Sequence, residues 1–291
     1  MRKFLTVLVV LLMVGTLAAI LASITLPGGS GSTVRFSLPA FSPALGTEQE
    51  RIETIQLDYA GLLSVSNQLG QVYIEGADTP DITLQIVKRA KSALRSAAYL
   101  LDQIKVETAV LDGRTQIVGR VPITRDTEQV SVDFHLTVPR ELIANLKVNL
   151  GTVEVKDVSG TLRIDNDLGS VSIANFQGNA FIQADLGSVE ITGADFADNL
   201  QVVASMGDVK IEGSLARSSI IENRLGEVQL FLPIDEAYEL EASVDLGNLD
   251  LSVPFTGDRT RDSAAGTVGT GEPRGKLSLI ISLGSLGIHY L

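Results

Sequence analysis

The sequence predicts an all-β protein: a single-stranded parallel β-solenoid, or β-helix, with coils of 18–21 residues, an N-terminal transmembrane helix and one inserted helix. From Gly151 to Gly247 the repeat steps are 18, 18, 20, 19 and 21 residues. A fixed period with strand-type alternation is typical of a solenoid, in which each repeat is one coil. Variants of Leu-Gly-x-Val-x-Ile recur eight times, centred on Gly70, Gly151, Gly169, Gly187, Gly207, Gly226, Gly247 and Gly284.

Each repeat predicts two strands joined by a glycine corner. Around Gly169, apolar Ile164, Val171 and Ile173 alternate with polar residues, and period-two alternation indicates one buried face. A sharp corner needs positive φ or close backbone approach, which glycine tolerates. We expect the preceding leucine, such as Leu168, to fill the corner from inside. The most recurrent residues are therefore interpreted as core and turn.

Two further recurrences support a structural interpretation. Asparagine stands three residues before the corner glycine at Asn67, Asn166 and Asn223. An inward asparagine is costly unless its amide is hydrogen-bonded, so we expect a bond at the corner. A second turn is predicted to carry its own glycine and an apolar plug, at Gly160, Gly178, Gly193 and Gly213 and at Val158, Phe176, Phe196 and Leu215.

The N-terminus predicts a membrane signal in residues 1–26. Arg2 and Lys3 precede an uncharged apolar run over 4–26, long enough to span about 30 Å of hydrocarbon as a helix. A retained single-pass anchor and a cleaved signal sequence both remain open, and either places the rest outside the cytoplasm. Residues 27–50, rich in Gly, Ser and Pro, predict a flexible tether.

The folded domain is predicted over residues 51–291. Its parts are an irregular region at 51–145, regular coils at 146–255, a flexible loop at 256–276 and a last coil at 277–291. Within the irregular region we predict a helix at 88–103, with strands at 82–87, 104–110, 115–118 and 130–138. The helix is basic, so it either binds an anionic membrane surface or packs Leu94, Ala98 and Leu101 on the solenoid end.

Composition argues against several kinds of chemistry. The chain has no cysteine, which excludes disulfides and thiolate sites, and its formal charge of −12 argues against a nucleic-acid partner. His135 and His289 lack partners at motif spacing, so we predict no catalytic, cofactor-binding or metal-ligating residues and no enzyme activity. The outward acidic face around Asp165–Glu190 is interpreted as solvated, with Ca²⁺ binding left open.

One stretch of the chain resembles a known family. The run NLKVNLGTVEVKDVSGTLRIDNDLGSVSI, preceded by VDFHLTVPREL, resembles the bacterial "putative adhesin" family, a domain of unknown function with repeated Gly-x-Val-x-Ile coils. The resemblance spans residues 50–291. It implies an exported or membrane-anchored chain with a role in surface adhesion, and it supplies no catalytic residues.

The leading hypothesis is a non-enzymatic, membrane-anchored extracytoplasmic binding protein, secreted if the N-terminal segment is cleaved. Its expected partners are the membrane, through the N-terminal helix, and an envelope protein or polysaccharide. One alternative is a carbohydrate-binding or carbohydrate-active module on envelope polysaccharide. Another is an envelope-stress sensor or a scaffold for a membrane partner.

Overall fold

The computed structural model describes residues 47–93 and 96–291, and this part of the chain is all-β with one short helix. The predicted anchor (1–26) and most of the predicted tether (27–50) lie outside the described residues. Residues 47–50 belong to the first strand instead of the tether. Among the described residues, no helix is long and apolar enough to cross a membrane.

The strands are β1 (Thr47–Leu57), β2 (Leu62–Asn67), β3 (Val72–Ala77), β4 (Ile82–Ser92), β5 (Lys105–Leu111), β6 (Arg114–Arg120), β7 (Glu128–Pro139), β8 (Glu141–Leu150), β9 (Val153–Lys156), β10 (Ser159–Leu168), β11 (Val171–Ala174), β12 (Gln177–Leu186), β13 (Val189–Met206), β14 (Val209–Ser214), β15 (Ser218–Leu232), β16 (Ala237–Leu251), β17 (Phe255–Arg259), β18 (Ser263–Gly269) and β19 (Pro273–Tyr290). The helix α1 is Ala97–Gln103.

Successive repeats pair in parallel, in two rows of strands. In the first row β8, β10, β12 and the second half of β13 are neighbours, and Ile164 is in register with Ile182. In the second row β9, β11, the first half of β13 and β14 are neighbours, and Val171 is in register with Val189. Inward residues of both rows belong to one apolar core, so each repeat contributes one strand to each side of that core.

The glycine corners between the two rows are stacked on one another. Gly169 has φ +137, and a Cβ there would collide with the carbonyl oxygen of Gly151. The same relation links Gly187 to Gly169 and Gly207 to Gly187. The prediction that close approach and positive φ require glycine is therefore confirmed.

The prediction that leucine fills the corner is wrong. Asn166 and Val171 are buried on either side of the corner, whereas Leu168 between them is exposed. The amide of Asn166 donates a 2.9 Å hydrogen bond to the Gly169 carbonyl and occupies the inside of the turn. Residues 167–170 pass around the outside, so the leucine side chain projects toward solvent.

The predicted asparagine bonds and apolar plugs are confirmed. Asn67 donates to the Val132 carbonyl at 2.8 Å and Asn223 to the Gly207 carbonyl at 3.0 Å. Phe176 and Phe196 are fully buried, with ring centroids 5.8 Å apart. The other plugs, Val158 and Leu215, are also buried, and the glycines of the second turn, at 160, 178, 193 and 213, all have positive φ.

The helix predicted at 88–103 is wrong over its first part. Residues 88–92 continue strand β4, which pairs antiparallel with β1 and β7. Pairing on both sides overrides helix propensity and buries Lys88, whose ammonium group contacts Glu53 at 3.2 Å. The helix is limited to α1, which buries Ala97, Leu100 and Leu101. The interpretation as a basic membrane-binding helix therefore fails; residues 94 and 95 lie outside the described part.

The C-terminal strand does not follow its predecessor in space. Strand β19 pairs with β15 on one side and with β16 on the other, so Gly284 lies between Gly226 and Gly247. The predicted loop at 256–276 is also wrong, because β17 and β18 form an antiparallel hairpin there. Strand β18 pairs with the outer edge of β16, with Tyr238 opposite Val268. Strand β18 thus covers the outer edge of β16 over residues 237–243, and β19 pairs with the inner edge as far as Leu251.

A buried hydroxyl network lies at the second turn near this end. The Tyr238 hydroxyl accepts a 2.9 Å hydrogen bond from the Leu215 backbone N–H and donates to the Glu236 carboxylate. Arg274 also pairs with Glu236, and it contacts Asp195 at 2.9 Å. Burial, followed by the contact with Glu236, raises the pKa of Tyr238 above its ordinary value of 10.0.

Replacing Gly187 by alanine should lower the free energy of unfolding by about 1–3 kcal/mol or more, because a strained φ is combined with a backbone collision. Gly187 has φ +142. Gly271→Ala is the matched control: its φ is +104, but its Cβ would meet nothing closer than 3.8 Å. Urea unfolding of the two variants separates strain from collision, and equal losses would contradict the stacked corner.

Tyr238 should make the protein alkali-sensitive. A folded-state pKa above the unfolded value means that the folded chain holds the proton more tightly. Its contribution to stability is therefore complete below about pH 10 and declines as the pH rises from there toward the folded-state pKa. Urea unfolding between pH 8 and 11, on the order of the tyrosine titration range, should give a steeper loss for the wild type than for Tyr238→Phe. Parallel losses would contradict this assignment.

Candidate binding surface

The exposed corner residues form a continuous apolar stripe, here called the leucine ladder. The residues of the ladder are 42–68 % exposed. Pairing of adjacent strands places equivalent residues side by side; Leu168 is in register with both Leu150 and Leu186, and Leu283 with both Leu225 and Leu246. In spatial order the seven rungs are Leu150, Leu168, Leu186, Met206, Leu225, Leu283 and Leu246.

Backbone hydrogen bonds across the corners hold most of the rungs in place. The N–H of Gly169 donates to the Leu186 carbonyl at 2.8 Å, and the N–H of Gly187 donates to the Met206 carbonyl at 3.0 Å. The same bond joins Gly207 to Leu225 at 2.9 Å. Each rung thus has a fixed backbone carbonyl and an outward side chain, so the ladder is a surface built on a rigid sheet.

Five rungs at the C-terminal end line a groove of about 940 Å³. The apolar contribution comes from Leu186, Met206, Leu225, Leu283 and Leu246, together with Val203. Polar side chains border them: Gln183, Asp185, Ser205, Arg224, Asp245 and Ser282. The groove is therefore lined by both apolar and polar side chains, a mixture that protein–protein contact surfaces also show.

Charges beside the ladder are mainly negative. The position two residues before the glycine is acidic at Asp167, Asp185 and Asp245 and basic only at Arg224. On the other side of the glycine, Asp208 accepts a 2.9 Å hydrogen bond from the backbone N–H of Glu227, which fixes one carboxylate beside the corner. The margins of the ladder thus favour a cationic ligand.

The acidic face predicted around Asp165–Glu190 is partly neutralised by lysine. Lys147 contacts Asp165 at 2.7 Å, and Lys210 lies 3.6 Å from Glu190 and 2.7 Å from Glu212. The hydrogen bond to Asp165 and then its charge raise the pKa of Lys147, with smaller effects from Asp167 and Asp185. Among residues 47–93 and 96–291, no group of three or more His, Asp or Glu is arranged to hold a metal ion.

The two histidines lie in strands beside aromatic rings. His135 is 5.9 Å from the ring of Tyr73, and His289 is 5.3 Å from the ring of Phe231. His289 is the second-last residue of β19. Neither pair adjoins the ladder groove, and neither histidine has a nucleophile or carboxylate hydrogen-bonded to it in the described structure.

Lysine and arginine side chains cover the half-exposed aromatic rings. The Lys156 ammonium lies 5.5 Å from the Tyr73 ring centre, and the Arg163 guanidinium lies 5.2 Å from that of Phe181. Phe176 and Phe196 are buried and offer no ring surface on which a sugar could stack. The ladder, which the sequence analysis placed in the core, is instead an exposed row of apolar side chains in register.

No family model matches the chain, and no curated protein matches it. Among solved structures, it is similar to a "putative cell adhesion protein" from Clostridium sporogenes (11 % identity, 84 % of this chain and 100 % of that one, TM-score 0.35). It is also similar to a "putative adhesin" from Bacteroides fragilis (13 %, 82 % and 97 %, TM-score 0.40). A third, from Parabacteroides distasonis, is named a "putative lipid binding protein" (12 %, 84 % and 98 %, TM-score 0.25). Likeness at this level assigns no function.

If the ladder is a surface feature, Leu168→Ala should change the free energy of unfolding by less than about 1 kcal/mol. Ile164, four residues earlier on the same strand, is buried. Truncating it to alanine should cost about 2–5 kcal/mol. Urea unfolding of both variants tests the placement. A large loss of unfolding free energy in Leu168→Ala would show that Leu168 is part of the core.

Proposed function

We propose that this chain is a non-enzymatic binding protein of the cell envelope and that the leucine ladder is its contact surface. The observation that carries the proposal is the ladder itself: seven exposed apolar side chains in register on neighbouring strands. Single exposed leucines need no explanation, but a contiguous apolar patch bordered by polar residues is characteristic of an interaction site.

The dimensions of the ladder favour an elongated partner. Adjacent strands are about 4.8 Å apart, so seven rungs extend over roughly 29 Å. The side chains project from backbone that is hydrogen-bonded on both sides along most of this length. Little conformational entropy would be lost on binding, which favours affinity for a given contact area.

We further infer that the repeats form a β-solenoid whose corners carry the ladder. Parallel pairing in two rows around one core supports this arrangement. The inserted strand β19 follows the same register, with Leu283 between Leu225 and Leu246. The change in strand order at the C-terminal end therefore leaves the ladder uninterrupted.

The proposed location outside the cytoplasm rests on the sequence. Two basic residues precede the apolar run at 4–26, which favours a cytoplasmic N-terminus and export of the following domain. In this proposal residues 1–26 anchor the protein, which is secreted if that segment is cleaved. Carbohydrate binding is less well supported, because cations cover the half-exposed rings of Tyr73 and Phe181.

Site-specific photo-crosslinking of the full chain in intact cell envelopes tests the proposal. A benzophenone amino acid is introduced at position 186 or 225 in the ladder. Position 111 in β5 is the matched control, because Leu111 is also an exposed leucine and β5 pairs with β6, a strand that carries no rung of the ladder. Adducts should form at 186 and 225 and not at 111, since only the ladder contacts the partner.

Serine replacements at the ladder give the energetic test. Leu225→Ser should lower the affinity for the partner identified by crosslinking by roughly 10-fold, because a buried contact residue contributes on the order of 1–3 kcal/mol. Leu111→Ser should have no effect. Equal adduct yields at all three positions, or an unchanged complex in Leu225→Ser, would contradict the proposed contact surface.

A further inference from the structure

The geometry points to a basic amphipathic α-helix as the occupant of the ladder groove. This inference rests on the proposed function and identifies the chemistry of the partner. Three features carry it: the spacing of the rungs, the charge at the groove margins and the length of the groove.

Rung spacing fits a helix better than an extended chain. Rungs recur about every 4.8 Å, and a helix laid along them presents an apolar side chain about every 5.4 Å, once per turn. Over the four steps of the five-rung groove the mismatch is about 2.4 Å, half a rung. An extended strand repeats on one face about every 6.7 Å and would be out of register by about 7.6 Å, more than one rung.

Backbone hydrogen bonding also favours a helix over an extended peptide. Along most of its length the ladder offers only side chains, because the N–H groups of Gly151, Gly169, Gly187 and Gly207 already donate to the carbonyl of the next rung. An extended peptide on this surface would leave its own N–H and C=O groups without partners at an apolar contact, which is costly. A helix satisfies its backbone internally and presents only side chains.

The acidic side chains around the groove favour a positively charged partner. Asp185 and Asp245 border the groove, Asp208 and Glu227 lie across the corner, and Arg224 is the one cation among the groove-lining residues. Lysine or arginine residues flanking an apolar stripe would lie opposite these carboxylates. A second copy of this chain would bring the same acidic margins against them, and an anionic lipid surface would be repelled.

The length of the groove sets the size of the helix. Five rungs extend over about 19 Å, which corresponds to a helix of about 13 residues. Such a segment would place three or four apolar residues along Leu186, Met206, Leu225, Leu283 and Leu246. The partner is thus expected to contain a short basic amphipathic helix.

Fluorescence anisotropy on the full chain tests this inference, with the protein in phosphatidylcholine nanodiscs and empty discs as the blank. Three labelled peptides of about 14 residues serve as probes: an amphipathic Leu/Lys helix, the same pattern with glutamate for lysine, and a scrambled Leu/Lys sequence. The protein variants are a triple Leu186→Ser, Met206→Ser, Leu225→Ser change and the matched control Leu111→Ser.

The amphipathic Leu/Lys peptide should bind saturably to the wild type and to Leu111→Ser. It should bind at least roughly 10-fold more weakly to the triple variant, because the apolar contacts are lost. The glutamate and scrambled peptides should bind at least roughly 10-fold more weakly than the amphipathic Leu/Lys peptide. Circular dichroism of the triple variant should match the wild type, since the replaced side chains are exposed.

Four outcomes would overturn the inference. Equal binding of the lysine and glutamate peptides would show that the groove does not select a basic partner. Equal binding of the scrambled and amphipathic Leu/Lys peptides would show that it does not select an amphipathic helix. Dimerisation, or pelleting with phosphatidylcholine–phosphatidylglycerol vesicles, that the triple variant abolishes would identify a second copy or a lipid surface as the occupant. Crosslinks at 186 and 225 without Leu/Lys binding would overturn the helix and leave the proposed function standing.

Discussion

The contact between successive glycine corners is the constraint on which the rest of the structure depends. In the space where a Cβ of Gly187 would lie, the carbonyl oxygen of Gly169 is present, and the same holds along the stack. Both strand rows meet at these corners, so the closest backbone approach fixes the register of each repeat against the next. A side chain at any corner would separate two rungs and disturb the pairing of both rows at once.

The leucine ladder follows from this close approach. With no room for a side chain at the glycine, the inside of the corner is filled by the residue three positions earlier, as Asn166 does with its bond to the Gly169 carbonyl. The leucine immediately before the glycine then lies on the outer side of the turn. The stacking that stabilises the sheet therefore also presents an ordered apolar surface to solvent.

These features differ in how well the sequence predicts them. Positive φ at the corners, the asparagine bonds and the buried plugs follow from residue chemistry and were predictable. Whether the leucine points inward or outward was not predictable. The buried residues on the two sides of a corner, such as Asn166 and Val171, are an odd number of residues apart, so the inward–outward alternation must break once between them. A break before the leucine and a break after it give the same pattern. The order of the last strands could not be predicted either. The repeats around Gly226, Gly247 and Gly284 have equivalent sequences, so the sequence does not tell which of them are neighbours; in the structure Gly284 lies between the other two.

The inserted strand β19 links completion of the fold to formation of the proposed contact surface. Leu283 of β19 lies between Leu225 and Leu246, so the five-rung groove includes a residue from the last 20 residues of the chain. Without β19, strand β16 would lack its inner neighbour and the groove would lose its fourth rung. The hairpin of β17 and β18 covers the other edge of β16 over residues 237–243. The proposed contact surface is therefore complete only when β19 has paired with both β15 and β16.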